Sequence, residues 1–147
     1  MFLNLSPHIT IKQFEYSLTA KMLKLKNVMN NEQISNAVLL ANNVVEKILA
    51  KIGGNISSGF RGVELNKALK ATPTSQHCKG QAVDLNPPRG MNVLNYFKKI
   101  LALNLPFDQI ILEKSWVHIS YSSRNRREKL QAYTDDHGQI KYRKYVC

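Results

Sequence analysis

Two histidines and an aspartate are the residues whose types best suit metal chemistry in this sequence. His77 and Asp84 share the segment Ser-Gln-His-Cys-Lys-Gly-Gln-Ala-Val-Asp, and His118 lies further along in Trp-Val-His-Ile-Ser. Seven residues of a continuous helix rise about 10.5 Å, whereas two ligands of one zinc ion lie within about 3–4 Å of each other. His77 and Asp84 can therefore share an ion only if the chain turns back between them, and Gly80 permits such a turn.

Two histidines and one aspartate would leave one tetrahedral position of a zinc ion free for water. This donor set is typical of a catalytic zinc site rather than a closed structural one, and it predicts one Zn²⁺ per chain. Cys78 adjoins His77 and is an alternative ligand, although a cysteine at that position requires a different local geometry. Asp84 is therefore preferred to Cys78, and His77, Asp84 and His118 are the candidate metal ligands.

Glu113 is the candidate general base. The apolar stretches on either side of Lys114 and Ser115 predict a β-hairpin with a two-residue turn. In that register Glu113 and His118 project from the same face as diagonal neighbours, with Cα atoms roughly 7–8 Å apart. Such a gap suits a carboxylate that reaches water on a metal held by His118. The alternative base is Asp108, at the start of the same strand. The alternative role of Glu113 is that of a solvated charge at the end of the hairpin.

These residues need elements that hold them in place. Apolar side chains at a 4-3-4-3-4 spacing predict a helix over residues 32–52, which Asn30 and Gln33 can cap and Gly53 can end. The patterns predict an α+β fold in which helices flank a small antiparallel sheet. The other predicted elements are a short helix over residues 11–16, strands over 55–60, 82–85, 108–113 and 116–121, and helices over 63–69 and 92–103.

Length, charge and composition limit the number of domains and the class of partner. The chain has 147 residues and a net charge of +11, so we expect one domain, residues 1–147, with an anionic partner. Its 44% hydrophobic content excludes a wholly disordered chain. Residues 1–20 contain no apolar run of signal-peptide length, and no stretch reaches the roughly 18 apolar residues of a membrane span. Cys78 and Cys147 cannot make a disulfide framework.

Residues 122–147 form a basic C-terminal extension. Its functional interpretation is a patch that anchors the protein to the cell wall or to nucleic acid. Its simpler interpretation, which we favour, is a solvated segment that partly forms strands. Residues 135–138 predict a turn, with residues 139–145 as the second strand of a terminal hairpin.

The segment Ser-x-His-x-x-Gly-x-Ala-x-Asp over residues 75–84, followed by Trp-Val-His at 116–118, resembles the zinc D-Ala-D-Ala carboxypeptidase family. That family also includes D,D-dipeptidases and the L-alanyl-D-glutamate endopeptidases of bacteriophage endolysins. Residues 6–20 and 58–61 are similar to its compact phage and prophage members. The resemblance implies a compact α+β domain of the kind shared with the Hedgehog signalling domain.

The resemblance also implies roles for individual residues. His77, Asp84 and His118 match the zinc ligands. Arg61 matches the arginine that polarises the scissile carbonyl or holds a substrate carboxylate, and its alternative role is a structural ion pair. Ser75 matches a residue that helps to anchor the substrate. The family's glutamate base often lies three residues before the last histidine, a position that Ser115 occupies here, so Glu113 is the nearest carboxylate.

The implied function is a monomeric zinc peptidase that cleaves peptidoglycan stem peptides, encoded by a phage or prophage. Either a D-Ala-D-Ala or an L-Ala-D-Glu bond fits the pattern. Without a signal peptide, such an enzyme would stay in the cytoplasm until lysis or travel on a virion, and then act at the cell wall. A non-catalytic zinc domain that binds cell wall or belongs to a virion is the alternative. A third hypothesis, a nucleic-acid-binding domain, is supported by the net charge alone, and no specific nucleic acid is expected.

Overall fold

Helices predominate in the first third of the chain and strands in the last third in the computed structural model, which describes residues 4–146. Cys147 lies outside the described residues. The strands are β1 (Asn4–Ser6), β2 (Ile9–Thr10), β3 (Asn55–Ser58), β4 (Ala82–Asn86), β5 (Gln109–Leu112), β6 (Val117–Ser120), β7 (Glu128–Thr134) and β8 (Ile140–Lys144). The helices are α1 (Ile11–Glu15), α2 (Leu18–Met22), α3 (Asn31–Leu40), α4 (Glu46–Lys51), α5 (Val63–Ala68) and α6 (Val93–Ala102). These elements confirm the α+β class.

The main sheet of the described residues has six strands in the order β3-β4-β6-β5-β7-β8. All its neighbours are antiparallel except β5 and β7, so the sheet is mixed rather than wholly antiparallel. Strand β7 cannot pair with β6, because β4 and β5 already occupy both edges of β6. It pairs instead with the free edge of β5 and runs parallel to it. The chain leaves β6 at the end where β5 begins, and β7 then starts beside Asp108, whose carbonyl accepts a hydrogen bond from the Glu128 N–H at 2.9 Å.

Strand alternation separates the core from a polar face of the sheet. Asp84, His118 and Ile111 lie in register across β4, β6 and β5. Successive side chains of a strand point to opposite faces, so the neighbours of these residues point to the other face. Those neighbours are all buried in the hydrophobic core: Val83, Leu85, Ile110, Leu112, Val117 and Ile119. Burial of the apolar face therefore fixes which face carries Asp84 and His118.

The long helix predicted over residues 32–52 is divided by a π-helical turn. Asn30 caps α3 through a capping box with Gln33, as predicted. Between α3 and α4, Ala41–Val45 form the π-helical turn, which the apolar spacing did not indicate. The Asn42 amide donates hydrogen bonds to the carbonyls of Val38 and Leu5, at 2.8 and 3.0 Å. An amide that competes for helical carbonyls in this way is a local cause of an irregular turn.

The basic extension forms a hairpin of β7 and β8 rather than a detached tail. Asp135 begins its turn, and its carbonyl accepts a hydrogen bond from the Gly138 N–H at 3.1 Å. This confirms the predicted terminal hairpin, while its docking beside β5 was not foreseen. Among residues 4–146, none of the helices has both the length and the apolar character that a bilayer span requires.

Candidate active site

His77, Asp84 and His118 come together on the polar face of the sheet. Oδ1 of Asp84 lies 3.2 Å from Nε2 of His77 and 3.0 Å from Nδ1 of His118. One donor atom from each residue lies within 4.8 Å of the other two, and His77 and Asp84 are buried. Among the described residues, this group could hold a metal ion, and it does not include Cys78.

A reversal of the chain at Gly80 brings His77 back to Asp84. His77 lies in a 3₁₀ turn, Gln76–Lys79, which ends at Gly80 with a left-handed φ of 73°. A Cβ at Gly80 would also collide with the backbone carbonyl oxygen of Gln33 on α3. The turn predicted from the spacing of the two ligands is thus present, and its tight packing favours glycine.

The ring of His77 is oriented by the loop that follows β3. Its Nδ1 donates a hydrogen bond to the carbonyl of Gly59 at 2.6 Å, which leaves Nε2 as the atom that faces Asp84. Metal-binding histidines commonly have their second nitrogen fixed in this way. Burial lowers the pKa of His77 despite the adjacent Asp84, and a lowered pKa favours the neutral ring. A neutral imidazole is the form that binds a metal.

Asp84 is ionised in this environment. Burial disfavours its charged form, but His77 and His118 face the carboxylate and hold the pKa of Asp84 below its ordinary range. A nitrogen, nitrogen and oxygen donor set with these geometries fits Zn²⁺, and it leaves one tetrahedral position for another ligand. The residues present therefore fit a zinc ion on their own chemistry.

Arg61 and Ser75 border the same group. The Arg61 guanidinium lies 3.5 Å from Oδ2 of Asp84, and the Arg61 N–H donates to the His77 carbonyl at 3.1 Å. Within residues 4–146, the buried Nε of Arg61 has no hydrogen-bond partner. The Ser75 hydroxyl accepts from the His77 N–H at 3.2 Å, so it supports the histidine and keeps its own proton for a further bond.

Glu113 occupies the end of the predicted hairpin. Its N–H donates to the Trp116 carbonyl at 3.1 Å, and Ile111 pairs with His118, so the predicted turn and register are confirmed. Burial raises the pKa of Glu113 above its ordinary value. Its carboxylate also accepts a long hydrogen bond, 3.4 Å, from the Tyr142 hydroxyl.

Asp108, the alternative base, is engaged elsewhere. It is buried, and its carboxylate accepts hydrogen bonds from the Arg126 side chain at 3.0 and 3.1 Å and from the Gln76 amide at 2.9 Å. Although burial disfavours the charged form, these bonds hold the pKa of Asp108 below its ordinary range. A carboxylate so engaged is a poor proton acceptor, and this environment favours Glu113 over Asp108 as the candidate base.

A family model described as Peptidase M15 matches residues 12–120 of the sequence, which is most of its length. The chain belongs to the Peptidase M15 family. Members of this family are zinc-dependent metallopeptidases, in agreement with the donor set of His77, Asp84 and His118. A search of curated proteins finds no match to the chain.

The M15 match ends before β7, yet the β7–β8 hairpin and the segment before it help to line the site. A cavity of about 620 Å³ opens over the three candidate ligands, and its wall includes Arg124, Arg126 and Tyr142. The sequence patterns did not indicate these residues as part of the site. Their approach depends on the pairing of β7 with β5, and no local motif encodes that pairing.

Proposed function

We propose that this chain is a zinc-dependent peptidase that cleaves the stem peptides of peptidoglycan. The observation that carries the proposal is the convergence of His77, Asp84 and His118 beneath an open cavity that Glu113 also lines. Membership of the Peptidase M15 family supports the coarse class of the reaction. The charge of +11 supports an anionic substrate, because peptidoglycan and its attached polymers attract a basic protein.

Each of the candidate residues has a defined task in this reaction. A zinc ion held by His77, Asp84 and His118 would supply a Lewis acid that polarises the scissile carbonyl and lowers the pKa of water. Glu113 accepts the proton of the attacking water and delivers it to the leaving amine. Its raised pKa brings it closer to neutrality, which suits an acid that must also donate.

Arg61 and Ser75 are the candidate substrate-binding residues beside the metal group. The Arg61 guanidinium is positioned beside Asp84, where it can donate to the carbonyl oxygen as negative charge develops, or hold a substrate carboxylate. The Ser75 hydroxyl donates to a carboxylate of the stem peptide. We also propose a phage or prophage source and action at the cell wall, since residues 6–20 and 58–61 resemble compact phage enzymes.

Digestion of purified peptidoglycan tests the proposal. Zinc-loaded protein should release peptides, and mass spectrometry of the products identifies either the D-Ala-D-Ala or the L-Ala-D-Glu bond as the one cleaved. His118→Ala should release none, whereas His137→Ala, an exposed histidine in the β7–β8 turn, should match the wild type. Binding to peptidoglycan without release by the wild type would favour the non-catalytic wall-binding domain instead.

A further inference from the structure

Tyr142 reaches the polar face of the sheet through the register of three strands. Leu112 of β5 pairs with Gln131 of β7, so that Glu113 follows beside Ala132. Ala132 in turn pairs with Tyr142 of β8. Residues paired across a sheet share a face, so Glu113, Ala132 and Tyr142 form a row on the face that also carries the candidate metal ligands.

The contact between the two side chains is a hydrogen bond from a phenol to a carboxylate. The Tyr142 hydroxyl donates to Oε2 of Glu113 at 3.4 Å. Burial raises the pKa of Tyr142 to about 12, and the charge of Glu113 acts in the same direction, so the hydroxyl keeps its proton near neutral pH. Tyr142 is therefore a donor to Glu113 and not a competing base.

The hairpin holds Tyr142 in place from both sides. The flanking residue Arg143 pairs with Gln131, and its guanidinium stacks over the Tyr133 ring with 4.7 Å to the ring centroid. Lys141, on the other side, lies 3.4 Å from the Asp135 carboxylate. These contacts fix strand β8, which is an edge strand and has no second neighbour in the described sheet.

The groups around the Glu113 carboxylate show which of them can orient it. The titratable groups that influence the pKa of Glu113 through space are His118 on β6 and Asp84 on β4, and both belong to the candidate metal group. Asp108 at the other end of β5 is held by Arg126. No hydrogen bond to the Glu113 carboxylate other than that from Tyr142 occurs among the side-chain contacts of residues 4–146.

We propose that Tyr142 is a positioning residue of the active site, supplied by the C-terminal hairpin beyond the family match. Its hydroxyl holds Oε2 of Glu113 and leaves Oε1 to accept the proton from the attacking water. The inference rests on the proposed peptidase function, because the orientation of Glu113 matters only if Glu113 moves a proton. It assigns the β7–β8 hairpin a part in the reaction, where the sequence favoured a solvated segment that partly forms strands.

Tyr142→Phe tests the inference, since it removes only the hydroxyl. We expect kcat on a stem-peptide substrate to fall about tenfold, as for the loss of one modest hydrogen bond to a charged group. KM and zinc content should not change. The matched control is Tyr133→Phe, which makes the same chemical change in the same hairpin on the opposite face, and it should keep the wild-type kcat.

A second readout does not depend on activity. In the metal-free protein, ¹³C NMR titration of the Glu113 carboxyl should give a higher pKa in Tyr142→Phe than in the wild type, because the hydrogen bond favours the ionised form. An unchanged kcat in Tyr142→Phe, or a raised KM at unchanged kcat, would overturn the inference. If the wild type cleaves no peptidoglycan, the proposed function fails. Independently of activity, an equal pKa of Glu113 in Tyr142→Phe and in the wild type would refute the hydrogen bond itself.

Discussion

Replacement of Glu113 by glutamine separates its proton-transfer role from its structural one. Glutamine keeps the size of the side chain and can still accept a hydrogen bond from Tyr142, but it cannot take a proton. Loss of a general base costs about 10²–10⁴-fold in rate. Among the described residues that line the cavity, the other carboxylate is Asp84, a candidate ligand. With no substitute base, we expect a loss in the upper half of that range, about 10³-fold or more.

The assay compares peptide release from purified peptidoglycan with the zinc content of the same samples. Glu113→Gln should bind one zinc per chain, because Glu113 does not belong to the candidate ligand group. Glu64→Gln is the control, since Glu64 is exposed on α5 and the change in charge is the same. Release at the wild-type rate by zinc-loaded Glu113→Gln would refute the reasoning and require a different base.

Three further substitutions test the other parts of the site. Arg61→Lys should lower turnover by about 10²–10³-fold at normal zinc content, because lysine lacks the planar fork; full activity would reduce Arg61 to a structural role. His118→Ala should lose stoichiometric zinc in elemental analysis while His137→Ala keeps it, and equal zinc affinity would exclude His118 as a ligand. Asp108→Asn should lower the free energy of unfolding by about 2 kcal/mol, less than for a fully buried pair because Arg126 is partly exposed. Since the pKa of Asp108 is depressed in the fold, its contribution is present above the unfolded pKa of about 3.9 and is lost at lower pH; urea titrations should therefore converge for the two proteins in acid.

The sequence alone predicted the parts of the site that depend on local spacing. Gly80 between His77 and Asp84 permitted the reversal of the chain that a shared ion requires, and the turn predicted before Trp116 gave the register that places Glu113 on the face of His118. These features are encoded within a few residues of one another, so periodicity and turn chemistry are sufficient to find them.

Long-range pairing accounts for what the sequence did not indicate. Nothing near Tyr142 specifies that β7 docks beside β5, because parallel register is set by the burial of whole strands. The same pairing brings Arg126 to Asp108. The sequence near Asp108 showed only a carboxylate at the start of a strand and gave no sign of this partner. The π-helical turn at Ala41–Val45 likewise depends on Asn42 reaching a distant strand.

Hydrolysis in ¹⁸O-labelled water tests the central claim most directly. Peptidoglycan is digested by the zinc-loaded protein in H₂¹⁸O, and the released peptides are measured by mass spectrometry. We predict one ¹⁸O atom in the carboxylate formed at the cleaved stem-peptide bond, and no such product after removal of zinc by a chelator. Absence of new peptide termini from every wall preparation, or labelled products that persist at the same rate without zinc, would contradict the account.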